Sequence, residues 1–260
     1  NMQNSIIASI SKKGGGLDSA GGLSHALGLS RIYAFTLAEV LITLGIIGVV
    51  AAMTLPNIIA GYEKKNTIAR LQKSYTMLNQ AFKHSELDNG ESVNWNVSSN
   101  STSYFNTYWK PYLKILHICE NEKQCGYTSN TPWYRANGKQ DIIHAILRGW
   151  RESVILSDGT FMSGFSYAGF DSSVDPDDNT YTQGQSSLIL IDINGGGKPN
   201  KFGRDVFYFV RVNGKGILPY GYNDDDEVID KDCSEKNFGY KCAAKIIRNS
   251  WTIPEGYPWK

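Results

Sequence analysis

The most apolar stretch of the chain runs from Leu37 to Leu55. These 19 residues contain one charged side chain, Glu39. A helix of this length is long enough to cross a hydrocarbon core of about 30 Å. Its apolar residues lie all round the helix rather than along one stripe, which is not typical of a surface helix. The pattern therefore predicts a membrane-spanning helix.

Beyond Pro56 the pattern becomes amphipathic. Apolar residues recur at spacings of three and four, with lysine, arginine and glutamine between them: Ile68, Leu71, Tyr75, Leu78 and Phe82. This period predicts that the helix continues and packs one stripe on a sheet. Asp88-Asn89-Gly90 is a typical helix end. We therefore expect a membrane or assembly helix over 35–60 and an amphipathic continuation over 61–88.

The remaining residues, 89–260, are predicted to form a small globular domain, which we call the head. Short helices are expected over Tyr104–Ile118, Asp141–Trp150 and Ala243–Arg248. Strands are expected over Val154–Leu156, Phe161–Met162, Ser187–Ile193, Asp205–Val212 and Ile217–Leu218, the first two joined at Asp158-Gly159. Two of these runs are almost continuously apolar, which favours strands buried on both faces. The predicted class is α+β, with three to five mainly antiparallel strands against the amphipathic half of the long helix.

The residues before the apolar run differ from it in composition and pattern. Residues 1–34 are rich in Gly and Ser and lack sustained periodicity, which is typical of a disordered leader. They end in the sequence Ala34-Phe35-Thr36-Leu37-Ala38-Glu39, directly followed by the apolar run. This sequence resembles the cleavage and N-methylation motif of type IV pilins and type II secretion pseudopilins, although Ala34 stands where that family has glycine. The likeness is strong from residue 34 to about 60 and only architectural elsewhere.

The resemblance implies a set of processing and assembly residues. A prepilin peptidase would cut between Ala34 and Phe35, and the new amine of Phe35 would be methylated. Glu39 would be the fifth mature residue, which pairs with a subunit amine in the filament. Pro56 would be the twenty-second, where pilin helices commonly bend. The implied fold is pilin-like.

The resemblance also implies partners and a location. The partners would be the prepilin peptidase/methyltransferase and, in a type II secretion pseudopilus or a type IV pilus, copies of the chain or other pilins. The chain would lie in the bacterial inner membrane with residues 89–260 outside the cytoplasm, and then in a periplasmic or extracellular filament. The alternative is a membrane-tethered monomeric binding module or enzyme, for which the span is a plain anchor.

The charged residues bear on two points, the orientation of the chain in the membrane and the case for nucleic-acid binding. Arg31 precedes the span, whereas Lys64, Lys65, Arg70 and Lys73 follow it, so charge counting alone would place the C-terminal part inside. Long domains translocate largely regardless of charge, so we expect the head outside. A net charge of +1 over 260 residues gives no general argument for nucleic-acid binding.

Four cysteines form two local pairs, Cys119 with Cys125 and Cys233 with Cys242. Outside the cytoplasm such pairs are expected to form disulfides. Zinc is the competing interpretation, but neither pair has Cys-x-x-Cys spacing and no histidine lies at ligand spacing.

The segment between the two apolar strand runs is the best candidate site of the head. Asp192, Asn194 and Asp205 offer oxygen ligands of the kind that calcium prefers, among glycines 195–197. Some pseudopilins hold calcium in a loop of their sheet. The alternative is a turn in which both aspartates bond to the local backbone. No P-loop is indicated because Gly-Lys-Ser/Thr does not follow.

Two further features predict no chemistry. The acidic run Asp224–Glu227, with Asp230 and Asp232, is expected to be a solvated loop rather than a metal site. The four histidines, His25, His84, His117 and His144, are isolated in the sequence and suggest no catalytic set. We therefore expect no enzymatic activity and no certain cofactor.

Overall fold

The computed structural model describes residues 35–96, 101–128, 133–141, 152–165, 186–212 and 214–259. The chain divides into two compact units, residues 1–52 and 53–260, which are described separately. The predicted leader, 1–34, and all but the first residue of the helix predicted over Asp141–Trp150 lie outside the described residues. The predicted boundaries at residues 60 and 88 stay predictions.

The long helix predicted from the apolar run is confirmed. Helix α1 covers Leu37–Asn89 and continues through Pro56, which has no N–H to give to the preceding turn. The helix stops where Gly90 adopts a φ of 80°, a conformation that glycine takes without a steric penalty.

The head contains a six-stranded antiparallel sheet in which each strand pairs with the next along the chain. The strands are β1 (Ile115–Cys119), β2 (Ser153–Leu156), β3 (Phe161–Ser163), β4 (Ser186–Asp192), β5 (Val206–Val212) and β6 (Gly216–Pro219). The α+β class and the antiparallel pairing are confirmed. The sheet has one strand more than the upper limit of the predicted three to five. The hairpin at Asp158-Gly159 joins β2 to β3 as predicted, with Gly159 at a φ of 85°.

The additional strand is β1, which the sequence analysis assigned to a helix. Helix α2 ends at Tyr108 (Ser101–Tyr108), and a single 3₁₀ turn (Lys110–Tyr112) follows it. Pro111 cannot donate a backbone hydrogen bond, so it separates the helix from what comes next. The following Ile115–Cys119 then pairs with β2, with Cys119 opposite Ser153. Pairing to a distant strand decided the structure of a segment whose local period was ambiguous.

The amphipathic half of α1 packs on one face of the sheet, as predicted. Leu71, Leu78 and Phe82 are buried in a cluster with Ile189, Ile191, Phe207 and Phe209. Tyr75 is half-buried at its edge, where its ring stacks on Phe209 at 5.2 Å and its hydroxyl donates to the Ile217 carbonyl at 3.1 Å.

The opposite face of the sheet holds a second cluster. It is built from alternate strand residues and the aromatic side chains of surrounding loops: Phe161, Leu188, Leu190, Tyr208, Val210, Tyr127, Trp133, Phe202, Tyr220 and Tyr240. Successive strand side chains point to opposite faces, so β4 and β5 fill both clusters. The prediction that these two strands are buried on both faces is confirmed for the described side chains.

The acidic run is solvent-exposed at most positions, as predicted, but most of it is helical rather than a loop. It forms helix α3 (Asp226–Asp232) and the turn before it, next to helix α4 (Cys242–Arg248), the helix predicted at Ala243–Arg248. Its carboxylates form ion pairs with cations of α4 and the residue before it: Asp224 with Lys241 at 2.9 Å, Asp226 with Arg248 at 2.7 Å and Asp230 with Lys245 at 3.0 Å. The cations are 15 to 22 residues away in sequence, beyond the reach of a local pattern.

Replacing Leu78 tests the packing of the helix on the sheet. Leu78 is fully buried, so we expect Leu78→Ala to lower the free energy of unfolding by about 2–5 kcal/mol through lost transfer energy and a residual cavity. The measurement is denaturant unfolding of the full chain in detergent micelles, followed by near-ultraviolet circular dichroism. Gln72→Ala, at an exposed position of the same helix, is the control. Equal effects of the two substitutions would contradict the packing.

Candidate functional site

The start of α1 contains a closed hydrogen-bond arrangement between Thr36 and Glu39. The backbone N–H and the hydroxyl of Thr36 each donate to Glu39 Oε2 at 2.8 Å. In return, the Glu39 N–H donates to Thr36 Oγ1 at 3.2 Å. This is a capping box, in which the first and fourth residues of a Thr-x-x-Glu sequence satisfy each other's backbone donors.

The capping box gives Glu39 a structural role that the sequence analysis missed. The signal was present, because Thr36-Leu37-Ala38-Glu39 has the required spacing. The cap uses only Oε2, and no described residue donates to Oε1 or forms an ion pair with this carboxylate. The negative charge of Glu39 is therefore uncompensated within the described chain, next to the predicted processing residue Phe35, whose side chain is 83% exposed.

The apolar side chains that follow are uncovered. In residues 35–52 the exposed large ones are Phe35, Leu37, Val40, Leu41, Ile42, Leu44, Ile46, Ile47, Val49 and Val50. A Cβ built on Gly45 or Gly48 would meet no atom within 4 Å. Helix α1 contains an 18-residue window apolar enough to span a membrane, and none of that window is buried.

The predicted calcium loop joins β4 to β5, and Asp192 is at its buried end. The Asp192 side chain has no exposed surface. Its Oδ2 accepts hydrogen bonds from the Tyr127 hydroxyl at 2.9 Å and from Trp133 Nε1 at 3.3 Å, and its Oδ1 accepts from the Asn194 N–H at 3.3 Å. The contacts with Tyr127 and Trp133 span about 60 residues, so the sequence could not indicate them.

Asp205 closes the other end of the loop. Its two oxygens accept the backbone N–H groups of Asn200 at 2.8 Å and Lys201 at 2.6 Å. Burial raises the pKa of Asp205 to about 6. The pKa of Asp192 is raised well above its usual value, first by burial and then by the charge of Asp205. The loop thus brings together two buried carboxylates that disfavour each other's charge.

The donor set of the loop has features for and against calcium. Asn194 Oδ1 and Asn200 Oδ1 are buried without a hydrogen-bond partner, which leaves oxygen acceptors in excess, as a cation site requires. Both aspartates also bond to local backbone N–H groups, as the alternative predicted. Among the described residues, no three or more Asp, Glu, His or Cys side chains lie together in a group that could hold a metal ion. Calcium at Asp192, Asn194 and Asp205 stays a prediction.

The four cysteines form the two local disulfides. Cys119 bonds to Cys125, and Cys233 bonds to Cys242, with Cα–Cα distances of 5.5 and 4.9 Å. All four residues are buried. The first bond closes the loop after β1, and the second ties the end of α3 to the start of α4. Because each sulfur is bonded to another sulfur, none is a thiolate ligand for zinc in this structure.

The described histidines take part in no polar constellation. His84 and His117 are exposed, and the side chain of neither forms a hydrogen bond with a described residue. His84 lines an open cavity of about 510 Å³ between α1 and β2, together with Met77, Lys73 and Asp158. Lys73 and Asp158 form an ion pair at 2.8 Å. His25 and His144 lie outside the described residues.

One comparison with known proteins gives a match. The model of a family described as "Family of unknown function (DUF6613)" matches residues 57–140, about a third of the chain. The matched segment begins directly after Pro56 and includes the amphipathic part of α1, helix α2 and the Cys119–Cys125 disulfide. No curated protein and no solved structure matches the chain.

The pKa of Asp205 predicts a pH dependence. The folded-state pKa of about 6 lies above the usual 3.8, so the folded state binds this proton more tightly than the unfolded state does. The resulting stabilisation is complete below about pH 4 and is lost as the pH rises through 6. We therefore expect the free energy of unfolding to fall over this window. Burial raises the pKa of Glu152 to about 7, so the profile is measured in a Glu152→Gln background.

Adding Asp205→Asn to that background should make the fall between about pH 4 and 6 shallower, because asparagine stays neutral throughout while the raised pKa of Asp192 still contributes. The measurement is chemical unfolding of the full chain at each pH. Identical slopes with and without Asp205→Asn would contradict the assignment of this titration to Asp205.

Calcium is tested by thermal unfolding of the full chain at neutral pH. If calcium binds the folded loop only, the melting temperature rises, with about 2.7 kcal/mol of stabilisation at a concentration one hundred times the dissociation constant. We expect Asp192→Ala to abolish this rise and Glu235→Ala, at an exposed position, to preserve it. A parent chain that shows no shift with calcium would remove the site.

Proposed function

We propose that this chain is a prepilin-like structural subunit, cut before Phe35, methylated there and assembled through α1 into a type II secretion pseudopilus or a type IV pilus. One observation carries the proposal. The uncovered apolar segment of α1, Leu37–Leu55, begins two residues after the proposed cut and holds a single charge, on Glu39. The prepilin peptidase/methyltransferase and other pilin subunits are the proposed partners.

The exposed apolar surface of α1 supports an assembly role. In water this surface is unfavourable, so it needs lipid or other helices around it. In the proposed cycle, inner-membrane lipid covers it before assembly, and neighbouring helices cover it in the filament. Gly45 and Gly48 leave room for such helices to approach closely.

Glu39 supports the same proposal through its remaining charge. A charged residue near the centre of a bilayer costs about 2.5–3.5 kcal/mol on insertion scales, so a carboxylate in an apolar segment calls for a partner. The capping box satisfies helix donors through Oε2 but supplies no cation. The methylated amine of a subunit, held at Oε1, would compensate the charge and fix the axial register of the subunits.

The head supports a location outside the cytoplasm. Disulfides persist in oxidising compartments, and both disulfides of this chain lie in the head. In the proposed filament, the head packs its sheet on the buried stripe of α1 and forms the outer surface. Calcium in the loop between Asp192 and Asp205 would be an accessory to this role.

A membrane-tethered monomeric binding module is the second candidate. The open cavity of about 510 Å³ between α1 and β2 favours it, since small-molecule sites are concave. In that case α1 would serve as an anchor only, and no N-terminal methylation would be needed.

Two substitutions at Glu39 separate its charge from its capping role. Glutamine can replace glutamate in a capping box, whereas alanine cannot. If charge pairing sets the register, both Glu39→Ala and Glu39→Gln give processed chains that assemble poorly. The measurement is the fraction of processed chain in sheared and sedimented filaments, with Glu235→Gln as a matched control in the head. Assembly of Glu39→Gln at the parent level would leave only the capping role and contradict the pairing.

A further inference from the structure

The part of α1 that belongs to the unit 53–260 begins with an apolar segment, and a basic segment follows it. Met53, Leu55, Ile58 and Ile59 are exposed, and Lys64 and Arg70 follow within about 16 Å of helix axis beyond Ile59. Basic residues on this side of the span are the ones for which charge counting disagrees with the expected location of the head outside the cytoplasm. The proposed processing and assembly give them no role.

The loop between β4 and β5 adds two more cations at the same place. The guanidinium of Arg204 bonds to Glu63 of α1 at 3.0 Å. The ring of Trp259 has the Arg204 guanidinium 5.3 Å from its centroid and the Lys64 ammonium at 5.9 Å. A cavity of about 260 Å³ opens here, and its lining includes Arg70, Lys198, Arg204 and Trp259.

The charges around this cavity do not cancel. The four cations Lys64, Arg70, Lys198 and Arg204 define what we name the basic patch, together with Trp259. Among the described residues that line the cavity, the acids are Glu63, which is paired with Arg204, and Asp205, which is buried and bonded to backbone N–H groups. Arg70 and Lys198 are exposed and form no ion pair with a described residue.

We infer that the basic patch binds the phosphate groups of anionic lipids at the surface of the membrane that α1 enters. Arginine and lysine bind phosphate oxygens through charge-assisted hydrogen bonds, and tryptophan favours the headgroup region. Each basic side chain near an anionic surface contributes about 1 kcal/mol. The inference rests on the proposed function insofar as α1 lies in a membrane, and it adds a partner that this function does not require.

The experiment uses the full chain in nanodiscs of phosphatidylcholine, alone or mixed with phosphatidylglycerol. A spin label on the phosphatidylglycerol headgroup quenches nearby tryptophan fluorescence, and the Trp259→Phe chain isolates the contribution of Trp259. We expect quenching of Trp259 to saturate as the phosphatidylglycerol fraction rises and to weaken in high salt. In Arg70→Gln and Lys198→Gln chains, the apparent affinity for this lipid should fall about fivefold for each charge removed.

Two control substitutions and a control lipid distinguish specific binding of the anionic lipid from general contact with the membrane. Lys139→Gln and Lys236→Gln, at exposed positions elsewhere in the head, should leave the affinity unchanged. A chain that co-elutes with nanodiscs but is quenched equally by headgroup-labelled phosphatidylcholine overturns the inference and leaves the proposed function standing. A chain that does not insert into nanodiscs overturns both.

Discussion

The apolar surface of α1 between Leu37 and Ile59 is the constraint from which the other features follow. Nothing in the described chain covers this surface, and its side chains are more than half exposed at most positions. Water is a poor solvent for it, so lipid or other helices must surround it. Within such surroundings unpaired backbone donors are costly, which explains why the helix start is closed by the Thr36–Glu39 capping box.

The head is held together by contacts of a different kind. The buried stripe of α1 packs on β4 and β5, whose opposite face is covered by loop aromatics. Asp192 ties the β4–β5 connection to Tyr127 and Trp133. The Cys233–Cys242 disulfide and two ion pairs join α3 to α4. In the proposed function, the head keeps its own core while α1 exchanges lipid for neighbouring helices.

Periodic signals predicted the parts of the fold that one segment determines alone. The helix, the β2–β3 hairpin, the doubly buried strands β4 and β5 and the helix α4 belong to this group. Strand β1 and helix α3 were missed because their partners, β2 and α4, lie elsewhere in the chain. For Glu39, the Thr-x-x-Glu spacing was readable, whereas the contacts of Asp192 with Tyr127 and Trp133 depend on the folded sheet.

In the proposed cycle, the Ala34–Phe35 bond is cut and the new amine of Phe35 is methylated. The decisive measurement is the mass of the N-terminal peptide of the protein purified from its native membrane. A processed subunit gives a peptide that begins at Phe35 and carries the mass of one additional methyl group. A peptide that spans the Ala34–Phe35 bond would contradict processing and favour a tethered monomer.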